Sequence, residues 1–104
     1  MLETIRKLFG MGPKVDLGEM IANGATIVDV RTSGEYASGH IKGSINIPLQ
    51  SLGSQMAKLK KDKPVITCCA SGMRSSSAKA MLKANGFNEV HNAGSWFNLK
   101  KFEK

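Results

Sequence analysis

Three short β-branched runs constrain this chain more than any other feature. They are Thr26-Ile27-Val28-Asp29-Val30, Ser44-Ile45-Asn46-Ile47 before Pro48, and Val65-Ile66-Thr67-Cys68 after Pro64. Each is too short to span a bilayer, which takes about 20 apolar residues as a helix, and continuous apolar runs of this kind suit strands buried on both faces. Helical patterns fall between them. Asp16-Leu17-Gly18-Glu19 has capping-box spacing and opens a helix of about two turns ending near Asn23-Gly24. Leu52, Met56 and Leu59 recur at helical spacing behind Ser51 as N-cap, and Ala78, Met81 and Leu82 form a stripe opposite Lys79 and Lys83. Asn85-Gly86-Phe87 reads as a glycine C-cap closed by an apolar contact, and a last strand is expected over residues 89–91. Strands alternating with helices predict an α/β domain with a mostly parallel sheet and helices on both faces. Ligands in such sheets bind outside the carboxyl ends of the strands.

The 104 residues fit a single core. Leu2, Ile5, Leu8 and Phe9 form an apolar stripe ahead of the Gly10–Pro13 break, so residues 1–12 are expected to be an amphipathic arm and 13–104 one domain. Charges interrupt the N-terminus, which lacks the apolar stretch of a secretory signal, and a cytoplasmic location is expected. The net charge of +7 favours an anionic partner. Its lysines are scattered, without aromatic interleaving or zinc-finger spacing, so no nucleic-acid reading is indicated. His40 and His91 have no partners at metal-ligand spacing, and no metal site is expected.

The chemistry concentrates in Thr67-Cys68-Cys69-Ala70-Ser71-Gly72-Met73-Arg74-Ser75, between a strand end and a helix start. Such a loop gathers inward backbone N–H groups and the positive end of a helix dipole, an anion cradle. A thiol in that cradle becomes a thiolate more readily and is nucleophilic near neutral pH. The amides of residues 70–75 and the Ser71 hydroxyl are expected to line it. Gly72 permits close backbone approach, Arg74 offers a planar fork to an oxyanion, Met73 stands at the rim, and Ser75 is the expected N-cap of the following helix. Adjacent cysteines cannot staple distant segments, so a reduced compartment suits them.

The segment VDVRTSGEYASGHIKGSINIP (residues 28–48) resembles the N-terminal signature of the rhodanese homology domain, CASGMRSSSAKAMLKANGF (69–87) its active-site loop and helix, and NAGSWFNL (92–99) its closing segment. The resemblance runs from about Val15 to Leu99. It implies a single-domain thiosulfate sulfurtransferase-like protein with a rhodanese-like α/β fold, a mostly parallel sheet of about five strands and helices on both faces, and no cofactor. Such proteins carry a persulfide on the loop cysteine, taken from thiosulfate or a persulfide or polysulfide donor and passed to cyanide, a small thiol or an acceptor protein. The family's Cys-x-x-Gly-x-Arg pattern matches Cys69 through Arg74, so the resemblance implies Cys69 as nucleophile and Arg74 with the loop amides as donor-binding groups. It assigns Asp29 and Arg31 a bracing role and places His40 in a packed turn.

Cys68 with Arg74 also satisfies Cys-x5-Arg, the pattern of cysteine-dependent phosphatases, some of which share the fold. The position of Gly72, the absence of a His before Cys68 and the expectation that Cys68 is the last residue inside the sheet favour Cys69. Buried filler, resolving thiol toward Cys69, or nucleophile of a phosphatase or arsenate reductase are the three roles open to Cys68. A catalytically silent protein-binding module is the remaining alternative, and the intact Cys, Gly and Arg argue against it.

Overall fold

The computed structural model describes residues 15–103, so the expected arm over residues 1–12 lies outside them. Four strands, β1 (Thr26–Asp29), β2 (Ile45–Asn46), β3 (Val65–Cys69) and β4 (Val90–Ser95), form one all-parallel sheet in the order β2-β1-β3-β4. This is one strand fewer, among the described residues, than the expected five. β4 also runs four residues beyond the expected end, because an irregularity in its register with β3 between Thr67 and Cys68 lets Gly94 and Ser95 keep pairing. That extension lays Gly94 beside the loop that follows β3.

Between the strands run α1 (Leu17–Ala22), α2 (Ser33–Ala37), α3 (Leu52–Gln55) flanked by 3-10 turns, and α4 (Met73–Ala84), and a 3-10 segment (Trp96–Phe102) closes the chain. Asp16 Oδ1 accepts the Glu19 amide at 3.0 Å, the N-cap half of the expected box. A complete capping box stands at Thr32 and Glu35, where each side chain bonds the other residue's backbone N–H. Ser51 does not cap α3. Residues Leu49–Ser51 are already coiled in a 3-10 turn, which leaves Ser51 at φ −98°, ψ −7° rather than in the extended conformation a cap requires. Asn85-Gly86-Phe87 closes α4 as expected: Gly86 has φ +92°, and the Phe87 amide reaches back to the Leu82 carbonyl at 3.1 Å.

Side chains alternate across a strand with period two, and here the two sets build two cores. Val28, Val65, Cys69 and Val90 pack with Leu52, Ala78 and Leu82 under α3 and α4. Ile27, Ile66 and Cys68 pack on the other face with Leu99, Leu17, Ile21 and Phe102 under α1 and the closing 3-10 segment. Every residue of β3 is buried, which explains its largely apolar character, with Thr67 as the polar exception. Among the described residues no helix is long and apolar enough to cross a membrane.

Candidate active site

β3 runs one residue beyond the expected strand end at Cys68, through Cys69. Three residues then turn the chain, and α4 begins at Met73, so the sequence-predicted loop sits at the carboxyl end of a central strand. Gly72 makes the turn possible. Its φ of +105° is unfavourable for residues with a Cβ, and a Cβ there would stand 3.3 Å from Gly94 Cα. Ala70 and Ser71 are exposed, and Met73 lies at the rim with 79% of its surface open to solvent. Cys69 is fully buried beneath them.

Three polar groups converge on the Cys69 sulfur. The Gly72 amide lies 2.9 Å from Sγ, the Ser75 amide 3.4 Å, and the Ser75 hydroxyl 3.3 Å. Burial pushes the thiol pKa up, but the Ser75 hydroxyl and the amides of Ser75, Gly72 and Ser71 together outweigh it and hold the pKa below the ordinary value. A lowered pKa of this kind raises the thiolate fraction near neutral pH.

Ser75 therefore differs from its expected role. Gly72 is the N-cap of α4, and Ser75, one turn inside, is fully buried with Oγ shared between Sγ and the Gly72 carbonyl at 3.2 Å. The reason is the tightness of the turn: only three residues separate Cys69 from α4, so the first helical turn already lies over the sulfur. Thr67, two residues back on β3, donates from Oγ1 to the Ser75 carbonyl at 3.0 Å and ties the helix start to the strand.

Cys68 faces away. It pairs with Asp29 across β1 and β3 and packs in the opposite core from Cys69. Burial, and after it the nearby Asp29 carboxylate, push its thiol up to about 12, the state of an inert packed cysteine. Strand alternation thus separates the two sulfurs onto opposite faces of the sheet, which leaves Cys68 badly placed both to resolve Cys69 and to occupy the cradle as a phosphatase nucleophile.

Asp29 and Arg31 form a buried ion pair at the end of β1. Nη2 meets Oδ2 at 2.8 Å and Nε lies 3.0 Å from both carboxylate oxygens. The same guanidinium donates to the carbonyls of Glu35 at 3.3 Å and Gly39 at 2.7 Å and lies 4.7 Å from the centre of a Trp96 ring. The pair pins the α2 turn and the closing segment to the sheet.

Arg74 is in the loop but its fork is engaged elsewhere. Nη1 and Nη2 hold Glu35 Oε1 and Oε2 at 2.7 and 3.0 Å, a bidentate pair about one-third exposed on both sides. Glu35 is held at about 2 by Arg74 first and by the Thr32 amide second, so it is ionised at any working pH. Sequence reasoning assigned Glu35 no role, although Thr32-x-x-Glu35 carries a legible capping-box spacing.

Asn92 was missed altogether. Its Nδ2 donates to the Gly72 carbonyl at 3.3 Å while its Oδ1 accepts the Gly94 amide at 2.8 Å, so one side chain fixes the peptide next to the strongest sulfur contact. No local signal marks it, because its partner is 20 residues away. His40 stacks on Tyr36 at 3.8 Å and bonds the Tyr36 carbonyl through Nδ1, and His91 Nε2 contacts Glu89 at 3.0 Å; neither approaches Cys69.

The model of the rhodanese-like domain family matches residues 14–101. The chain is 38% identical over 81 residues to the thiosulfate sulfurtransferase GlpE of Ectopseudomonas mendocina, covering 78% of this chain and 74% of that one. It is 40% identical over 68 residues to YqhL of Bacillus subtilis, 65% of this chain and 54% of the relative, so it spans about half the length of that protein. Among solved structures, the human single-domain sulfurtransferase TSTD1 superposes with a TM-score of 0.72 at 28% identity, over 85% of this chain and 92% of that one.

Proposed function

The chain belongs to the rhodanese-like family, and from that membership we propose that it moves a sulfane sulfur as a persulfide on Cys69. The single observation that carries the assignment to Cys69 is the convergence of the Gly72 amide, the Ser75 amide and the Ser75 hydroxyl on its sulfur. The class of reaction is that of a rhodanese-like sulfurtransferase, in keeping with relatives named for thiosulfate and a structural neighbour named a sulfurtransferase.

The steps balance without a cofactor. The Cys69 thiolate attacks the outer sulfur of thiosulfate, the S–S bond breaks, and sulfite leaves with the electron pair. The resulting persulfide carries its charge on the terminal sulfur, which the inward amides at the start of α4 stabilise as they stabilise the thiolate. Cyanide or a thiolate then takes the terminal sulfur and returns Cys69 as thiolate. A persulfide or polysulfide donor reacts in the same way, with a thiol or a shorter polysulfide leaving. Cys69 is buried beneath the exposed rim of Ala70, Ser71 and Met73, so a donor approaches it from that side. Asp29 and Arg31 support the site by holding the neighbouring turn. Two unpaired thiols suit a reducing, cytoplasmic setting.

The phosphatase reading would need Cys68 as nucleophile, and its position in the opposite core supplies no support for that. The test is peptide-resolved mass spectrometry of the reduced protein after brief exposure to thiosulfate. One added sulfur on Cys69, removed by cyanide, absent in Cys69→Ser and retained in Cys68→Ser, is the expected result. Sulfur on Cys68, or on neither residue, would overturn the proposal.

A further inference from the structure

The loop arginine that resembles a donor-binding group is already neutralised in the folded chain. Both terminal nitrogens of Arg74 are committed to Glu35, and Glu35 Oε1 is itself held by the Thr32 amide at 3.1 Å and the Thr32 hydroxyl at 3.0 Å, so moving the carboxylate away breaks the reciprocal half of the α2 capping box. A groove of about 530 Å³ opens beside the pair, walled by Val30, Thr32, Pro48 and Leu49 with Arg74 at its edge. The pair is part-exposed there, next in sequence to the exposed rim residue Met73. Arg74 stands in the first turn of α4, one residue before Ser75, whose amide and hydroxyl contact the Cys69 sulfur.

We propose that Glu35 is a specificity-determining residue that cancels the charge of Arg74 at the rim and thereby tunes the site away from dianionic sulfur donors and toward donors of lower charge. This rests on the persulfide reading of Cys69. A free guanidinium would attract a dianion twice as strongly as a monoanion, since Coulomb energy is linear in the donor's charge. With Glu35 in place the rim presents a dipole instead, whose attraction for either anion is much weaker. Recognition then falls to the loop amides, which act at short range on the sulfur being transferred rather than on the rest of the donor.

The linear dependence makes the test quantitative. Thiosulfate and an aryl thiosulfonate deliver the same outer sulfur to the thiolate. The first carries two negative charges and releases sulfite; the second carries one and releases an aryl sulfinate, again with the electron pair of the broken S–S bond. Glu35→Gln keeps a side chain that serves at the third position of a capping box, yet removes the charge that occupies Arg74. The second-order rate constant for persulfide formation on Cys69 is measured in single turnovers, so that no acceptor enters. For that variant it is expected to rise about tenfold with thiosulfate and about threefold with the thiosulfonate, a ratio fixed by charge and damped by salt. Glu35→Gln/Arg74→Gln should lose both gains, and Arg74→Gln alone should lower both rates with the same two-to-one ratio of logarithms. Equal changes for the two donors, no change, or a fall in Glu35→Gln would overturn the proposal; if that variant does not fold, Arg74→Gln decides by the same ratio. Failure of the persulfide reading looks different, since wild-type protein would then gain sulfur on Cys69 from neither donor.

Discussion

Removing the Ser75 hydroxyl isolates one of the four contacts that lower the Cys69 pKa. Ser75 is fully buried, and its Oγ lies 3.3 Å from Sγ and 3.2 Å from the Gly72 carbonyl. Once Cys69 ionises, the hydroxyl proton turns to the sulfur, because a hydrogen bond to a charged acceptor is stronger than one to a carbonyl. Such a bond contributes about 1.5 kcal/mol at the weaker end of its range, as its length suggests, and that converts to roughly a tenfold change in an equilibrium constant. Ser75→Ala should therefore carry about tenfold fewer thiolates than wild type at any pH below both thiol pKa values, and the same number at a pH above both. The assay is the pH dependence of Cys69 alkylation by iodoacetamide, with Cys69→Ser as blank; Cys68, buried with its thiol pushed up to about 12, stays silent. Wild type should react about ten times faster on the acid side, with the curves converging on the alkaline side. Stability follows the same sign. A thiol whose pKa falls on folding contributes stability that is fully present above its unfolded pKa and lost as the pH drops through its folded pKa. The stability deficit of Ser75→Ala should therefore grow as the pH rises. Overlapping alkylation profiles, or a variant profile shifted to the acid side, would refute the claim that Ser75 stabilises the thiolate.

Two further substitutions probe the surroundings. Asn92→Ala removes the donor to the Gly72 carbonyl and the acceptor of the Gly94 amide, and should cost about 1–3 kcal/mol in urea unfolding; it should also move the alkylation profile alkaline, whereas a destabilised protein with an unmoved profile would reduce Asn92 to a brace. Asp29→Asn leaves the Arg31 guanidinium buried without its counter-charge, and should cost about 3–5 kcal/mol by the same measurement; a loss below about 1 kcal/mol, the scale of an exposed pair, would show that water reaches Arg31.

Much of the site was legible without coordinates because it is local. The nonapeptide from Thr67 to Ser75 carries its own strand end, positive-φ glycine and helix start, and the anion cradle follows from that order of residues. The choice of Cys69 over Cys68 was reached by counting to Gly72, and the geometry adds an independent reason in the alternation of β3, which sends one sulfur under α4 and the other under the closing segment. The misplaced Ser51 and Ser75 caps have a shared cause. A serine before an apolar stripe marks a helix start only if the chain is extended there, and at both positions it is already coiled.

The sequence by itself determined the α/β class, the strand–loop–helix unit from Thr67 to Ser75 and the thiol that heads its turn, since these depend on period, turn chemistry and neighbours a few residues apart. Only the tertiary structure decided what the loop's polar groups face. Arg74 meets a carboxylate 39 positions earlier in the chain, and the Gly72 carbonyl meets an amide 20 positions later. Those meetings depend on strand order β2-β1-β3-β4, which brings the ends of β1 and β4 to either side of β3. Sheet order is set by which faces bury most apolar surface together, a property of the whole chain that no short stretch contains.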